Sequence, residues 1–203
     1  MFKFHVNDEF SMLSPDNPLF SSFRATDGSP MFVPNFFSVD EGIDDYLLKS
    51  AKWKHCKTYE IETDLYQAFD VLKRYPIELP DNFEELISFL WGKTVEIKHV
   101  IGMRMDHHGF LGTHTDRTYG GSMVLYLNPT WKDSWGGLLR YREDSKLPYG
   151  EIGPPLMGTM SFAKHIKERD EDSPRWQHDV SPVTAECPRS RITMVVRWAS
   201  KDE

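Results

Sequence analysis

The sequence predicts a mainly β domain with supporting α-helices placed ahead of the β part. Two observations carry this: helix-type patterning is confined to residues before 92, and short strand-like segments then follow at close intervals. Gly, Pro, Asn and Asp punctuate those segments, as turns require. Residues 1–30 are rich in Ser, Pro, Asn and Asp and read as irregular. "MFVPNFF" (31–37) reads as a short strand despite its proline. "SVDEGIDDYLLKSAKW" (38–53) reads as a helix, with Ser38 as N-cap and acids in the first turn. "TDLYQAFDVLKRY" (63–75) places Leu65, Phe69 and Leu72 at helical spacing and predicts a second helix, capped by Thr63 or Asp64. "PDNFEELISFLW" (80–91) predicts a third, with Asp81 as cap and Glu84 three residues on. The expected strands are 94–105, 121–128, 136–143, 158–165, 176–183 and 190–198. So many short strands define a sandwich, a barrel or a jelly roll.

At 203 residues the chain fits one domain with a substantial core. Its net charge of −7 argues against a protein whose main task is gripping nucleic-acid backbone. Cys56 and Cys187 stand far apart, outside any zinc-type pair, and read as reduced thiols. The N-terminus lacks the apolar run of a signal peptide, and no segment reaches membrane-span length, so the expected location is cytoplasmic.

The chemistry begins at "LGTHTDRT" (111–118). In extended backbone His114 and Asp116 project to the same side, because side chains alternate along a strand. Two metal-ligating groups then converge on one point. A third ligand has to come from another strand of the β half. His5, His55 and His99 read as structural, and His107 and His108 as turn residues near a pocket mouth. That leaves His165 and His178. His178 is favoured because it opens the strand-like "HDVSPV", whereas His165 runs into a charged loop. Two histidines and one carboxylate are the facial ligand set of non-haem Fe(II) oxygenases. A manganese or zinc cupin-type site is the competing use of similar ligands.

The ordered set "HTD" (114–116), "YLN" (126–128), "WGGLLRY" (135–141), "HDVSPV" (178–183) and "RITMVVRW" (191–198) resembles the Fe(II)/2-oxoglutarate-dependent dioxygenase superfamily, in particular its prolyl-4-hydroxylase-like branch. The resemblance runs over about residues 32–198. It implies a double-stranded β-helix (a jelly roll, cupin-like) over residues 93–198, with helical support from 31–92. It implies iron ligation by His114, Asp116 and His178, and pairing of Arg191 with the distal carboxylate of 2-oxoglutarate. A guanidinium suits that carboxylate through two parallel hydrogen bonds. Tyr126 occupies a position from which a hydroxyl helps hold the same group. Two departures stand out. Met105 occupies a position where related enzymes often carry a tyrosine, leaving Arg104 or a neighbour to make a polar contact. The interval from His178 to Arg191 is long, which makes Arg189 a rival to Arg191.

The resemblance further implies Fe(II), 2-oxoglutarate and O2 as cofactors and cosubstrates, with ascorbate as a stimulant. Succinate and CO2 would be the co-products of a hydroxylation. Asp116 favours hydroxylation over halogenation, since halogenating members have Gly or Ala there. The expected substrate is an amino acid, a peptide side chain or a related small molecule. An acidic loop (168–172) and "WKDSWGG" (131–137) are expected to border the pocket, and the loop would favour a cationic substrate. Arg191 and Arg197 share a strand face, a pattern also found in AlkB-like nucleic-acid demethylases. That activity and a non-oxidative cupin-like metal binder are the alternatives. The sequence leaves the oligomeric state open.

Overall fold

A computed structural model describes residues 1–11, 30–57, 61–116, 119–143, 148–151, 153–164 and 176–201. In chain order its elements are β1 (Phe2–Val6), α1 (Asp8–Ser11), β2 (Met31–Val33), β3 (Phe37–Val39), α2 (Ile43–Ser50), β4 (Lys54–Cys56), β5 (Thr63–Ala68), α3 (Val71–Arg74), β6 (Ile77–Glu78) and α4 (Phe83–Trp91). The β half follows as β7 (Val95–Met105), β8 (Phe110–His114), β9 (Gly121–Tyr126), a 3-10 turn (Asp133–Trp135), β10 (Leu139–Arg142), β11 (Gly150–Glu151), β12 (Met160–Lys164), β13 (Gln177–Val180) and β14 (Arg191–Ser200).

β14 shows why the sheet forms. Its Ile, Thr and Val residues favour extended backbone, and it pairs antiparallel with β7 on one side and β9 on the other. Its two faces do different work. Ile192, Met194, Val196 and Trp198 enter the larger apolar core, while Arg191, Thr193, Val195 and Arg197 line a cavity. The strand order β7-β14-β9-β12 makes one layer and β8-β13-β10-β11 the other. β5 bridges them: Tyr66–Ala68 pair with β7, and Thr63 and Asp64 pair with β8. The result is the double-stranded β-helix. β2 extends the first layer beyond β12, and β1, β3 and β6 form a small separate sheet.

α4 backs the larger core. Phe83, Leu86, Ile87 and Leu90 recur at helical spacing and are all buried, each adding about 1.5–3 kcal/mol of transfer free energy. Gly92, at φ 81°, ends the helix in the left-handed conformation. No helix among the described residues is long and apolar enough to cross a membrane.

Several expectations are corrected. Within residues 1–30, expected to be mostly irregular, β1 and α1 form before residue 12, and residues 12–29 lie outside the described residues. "MFVPNFF" breaks at Pro34–Asn35, with Asn35 at φ 53°, into two strands of different sheets. The helix expected at 63–75 is mostly the strand β5, followed by one turn of helix. Pairing with β4, β7 and β8 overrides the helical spacing, and Phe69, placed on the expected apolar stripe, is 42% exposed. The 31–92 segment therefore supports the jelly roll with strands as well as helices. Ser38 lies in β3, so it caps nothing; α2 starts after Gly42. Asp81 does not cap α4 either. Asn82 holds that position without a side-chain bond, and Glu84 instead accepts a hydrogen bond from the Ile97 backbone N–H at 2.8 Å.

Candidate metal centre and its cavity

β8 and β13 are neighbours, and His114 lies directly opposite His178 in their register. Val180 lies opposite Leu111, so β8 accommodates one extra residue between these pairs. Gly112 sits in that irregular stretch. Its N–H donates to the Glu62 carbonyl at 2.6 Å, and a Cβ there would stand 2.4 Å from the same oxygen. Any side chain would push β8 off the loop before β5. Gly112→Ala is expected to destabilise the protein by about 1–3 kcal/mol, read as a lower urea midpoint with an unchanged slope. An unchanged midpoint would show that the contact is dispensable.

The Gly112 carbonyl also accepts the Nδ1–H of His114 at 2.9 Å. Donation from Nδ1 leaves the Nε2 lone pair as the free ligating position. Asp116 stands between the two imidazoles. One of its oxygens is 3.7 Å from His114 Nε2 and the other 3.6 Å from His178 Nε2. The ligand atoms of all three residues lie within 4.8 Å of one another. This donor set, two imidazoles and one carboxylate, fits a divalent transition metal with open positions. On the outer face of the same strands, Asp179 receives two hydrogen bonds from Arg140, at 2.7 and 3.0 Å, and one from Thr113 at 3.3 Å. These bonds anchor β13 against β8 and β10, next to His178.

The cluster opens on a cavity between the layers, lined also by Met103, Met105, Leu111, Val124, Tyr126, Leu139, Val180 and the inner face of β14. Arg191 is 2% exposed. Its Nε donates to the Gly137 carbonyl at 2.8 Å, and the guanidinium lies 5.4 Å from the Tyr126 ring centroid. No carboxylate pairs with it among the described residues. Burial pulls its pKa below the usual arginine value, partly countered by Tyr126, yet a guanidinium stays cationic. Burial likewise raises the Tyr126 phenol, so its hydroxyl stays protonated at neutral pH; it donates to Ser161 Oγ at 3.2 Å. The Thr193 hydroxyl lines the same cavity and is buried without a partner among the described residues. A buried cation and an orphan hydroxyl in one cavity fit an anionic ligand with several acceptor oxygens.

Two residues that seat Arg191 had no role in the sequence reading. Gly137, at φ 66°, lets the arginine stem pass; a Cβ there would meet Arg191 Cδ at 2.9 Å. The paired glycines of "WGG" were the available signal. Asn128, fully buried, accepts from the Ile192 N–H and donates to the Pro155 carbonyl, which fixes the start of β14.

Other expected residues fall elsewhere. Arg189 is no rival for the cavity, since it pairs with Asp44 of α2. Arg104 cannot stand in for a tyrosine at Met105. It points to the opposite face, over Tyr66 and Trp53 and against Asp106, while Met105 itself lines the cavity. His107 lies in the expected turn and donates to the Cys187 carbonyl; neither it nor His108 lines the cavity. His55 pairs with Asp64, and His99 packs edge-on to Tyr119. Of 131–137, Gly137 reaches the site through Arg191. His165 and the acidic loop 168–172 lie outside the described residues.

Fold and site together define a jelly-roll protein with a two-histidine, one-carboxylate cluster. The sequence model of the 2OG-Fe(II) oxygenase superfamily, whose members use Fe(II), 2-oxoglutarate and O2, matches residues 100–199, the part of the chain that carries His114, Asp116, His178 and Arg191. No curated protein matches the sequence. Among solved structures, the chain resembles a 2OG-Fe(II) oxygenase-family oxidoreductase from Burkholderia pseudomallei at 15% identity, with TM-score 0.62 and 98% of each chain covered. It resembles a Pseudomonas putida prolyl-4-hydroxylase at 14% identity and TM-score 0.61, covering 91% of this chain and 100% of that one. A Trichoplax adhaerens prolyl hydroxylase, solved with a hypoxia-inducible-factor peptide fragment, matches at 13% identity and TM-score 0.64, covering 96% and 91%.

Proposed function

We propose that the protein is a 2-oxoglutarate-dependent hydroxylase acting on an amino acid, a peptide side chain or a related small molecule, with succinate and CO2 as co-products. The observation that carries this reading is Arg191: a buried guanidinium without a carboxylate partner among the described residues, in the same cavity as the His–Asp–His cluster.

His114, Asp116 and His178 are the residues that would hold iron. Iron bound there supplies the activation of O2 for C–H hydroxylation, coupled to oxidative decarboxylation of 2-oxoglutarate. The protein's own contribution is placement. Gly112 holds His114 in the tautomer that presents Nε2, and the Arg140–Asp179 bonds fix the strand that carries His178. Arg191 offers its terminal nitrogens to the distal carboxylate of 2-oxoglutarate. Tyr126 flanks that guanidinium, and its single hydroxyl proton, donated to Ser161 in the ligand-free protein, would turn to the same carboxylate once it binds. Met103, Met105, Leu111, Val124 and Val195 give the cavity an apolar wall that excludes water around the reacting groups.

Anaerobic addition of Fe(II) and 2-oxoglutarate to the purified protein is expected to give a weak visible absorption band, and exposure to air to release succinate without added substrate. Failure of both signals would overturn the reading. A mass-spectrometric screen of free amino acids, proline-containing peptides and methylated oligonucleotides then separates a gain of one oxygen from loss of a methyl group. Demethylation of an oligonucleotide would replace the hydroxylase reading with the AlkB-like one.

A further inference from the structure

The inner face of β14 carries a second guanidinium. Arg197 lies six residues beyond Arg191, about 20 Å along a regular strand, and lines the same cavity. Its Nε is buried without a hydrogen-bond partner. Its guanidinium stacks over Tyr119, 5.4 Å from the ring centroid, and no carboxylate among the described residues pairs with it. The facing residues are polar but not anionic: Ser122 lies opposite on β9 and His99 opposite on β7. Asp116 is the one carboxylate among the described residues that line the cavity, and it stands between the two histidines. Among the described residues, neither ordinary use of a half-buried arginine, an ion pair or a bonded cap, is met at this position.

We infer that Arg197, with Ser122, forms a second anion-binding subsite that receives a carboxylate of the substrate, so that the substrate is a small acid. This deepens the hydroxylase reading and rests on it for the word substrate. The two guanidiniums divide the work. Arg191, fully buried and bonded to Gly137, suits a cosubstrate of constant shape. Arg197, less buried and held among the described residues by a ring face alone, suits a ligand of variable shape. A planar fork matches a carboxylate through two parallel bonds, and the orphan Nε is one of its donors. The direction is opposite to the cationic substrate expected from the acidic loop. The charge facing the cavity from β14 is positive at both ends.

The test is direct binding to the metal-free protein, with 2-oxoglutarate either absent or saturating. Saturation-transfer NMR would compare a panel of amino-acid and short-peptide carboxylates with their matching C-terminal amides. At least one acid is expected to bind about 10-fold or more tightly than its amide. R197Q should erase that preference and R197K should keep part of it, while the 2-oxoglutarate dissociation constant moves by less than about threefold. Arg191→Met should show the converse, with weakened 2-oxoglutarate and a retained acid preference. Absence of any acid-over-amide preference across the panel would overturn the inference. So would loss of 2-oxoglutarate binding in R197Q, or an oligonucleotide bound through Arg197 in preference to the acids. None of these readings depends on turnover, so a failed oxygenase assay is distinguishable from a failed subsite.

Discussion

His114→Ala is expected to abolish both the visible band of the Fe(II)–2-oxoglutarate complex and succinate release, a loss of about 100-fold or more. Three groups hold the site, and two of them cannot complete a facial set. Removing a mere neighbour of a ligand already costs about 10–100-fold in metal affinity or activity, so a ligand should cost more. The imidazole also receives its orientation from the Gly112 carbonyl, and alanine leaves that carbonyl free at a partly exposed position where water can replace the bond. Folding should therefore persist, with an unchanged far-UV circular dichroism spectrum. Titration with Mn(II), followed by electron paramagnetic resonance, checks metal binding without turnover. Retention of tight Mn(II) binding in the variant would remove His114 from the ligand set.

Arg191→Met gives the second large effect, and a more specific one. The 2-oxoglutarate dissociation constant should rise about 100- to 1000-fold, the range for losing a buried charge-paired contact of about 3–4 kcal/mol. Mn(II) affinity should be unchanged. Arg191→Lys should recover only part, because an ammonium lacks the planar fork. Stability separates this role from a structural one. Without ligand, Arg191 is a buried cation that no carboxylate among the described residues neutralises, so a methionine of similar volume should leave the ligand-free protein at least as stable. A fall of several kcal/mol in unfolding free energy would mean that Arg191 serves the fold and not an anion.

The parts of the site that could be read from the sequence are those whose chemistry is uncommon and whose strand parity is simple. His114 and Asp116 are two apart, and the structure brings them to one point with His178. Parity also set Arg191 and Arg197 on one face of β14. The same parity excludes Arg104, which alternates with Met103 and Met105 and so faces away from the cavity. The residues that seat the arginine were hidden for another reason. Gly137 acts through its carbonyl and Asn128 through its side-chain amide, each on a partner remote in sequence, and nothing local in the sequence encodes those partners. β5 was misread because Leu65, Phe69 and Leu72 happen to fall at helical spacing. Thr63, Leu65 and Ala68 are the residues actually buried, and the pairing strands that decide this lie far along the chain.

The bridging of two layers by β5 has a consequence for how the chain folds. His114 meets His178, and Arg191 meets Met105, only through pairings between segments remote in sequence. Loop-closure entropy has to be met before such contacts return any stabilisation, and folds dominated by them refold in milliseconds to seconds rather than microseconds. The two imidazoles do not face each other until β8 and β13 have paired, and β8 is seated by the Glu62 carbonyl and by β5. The metal-binding cluster is thus a product of late assembly, and ion capture reports completion of the jelly roll rather than its nucleation.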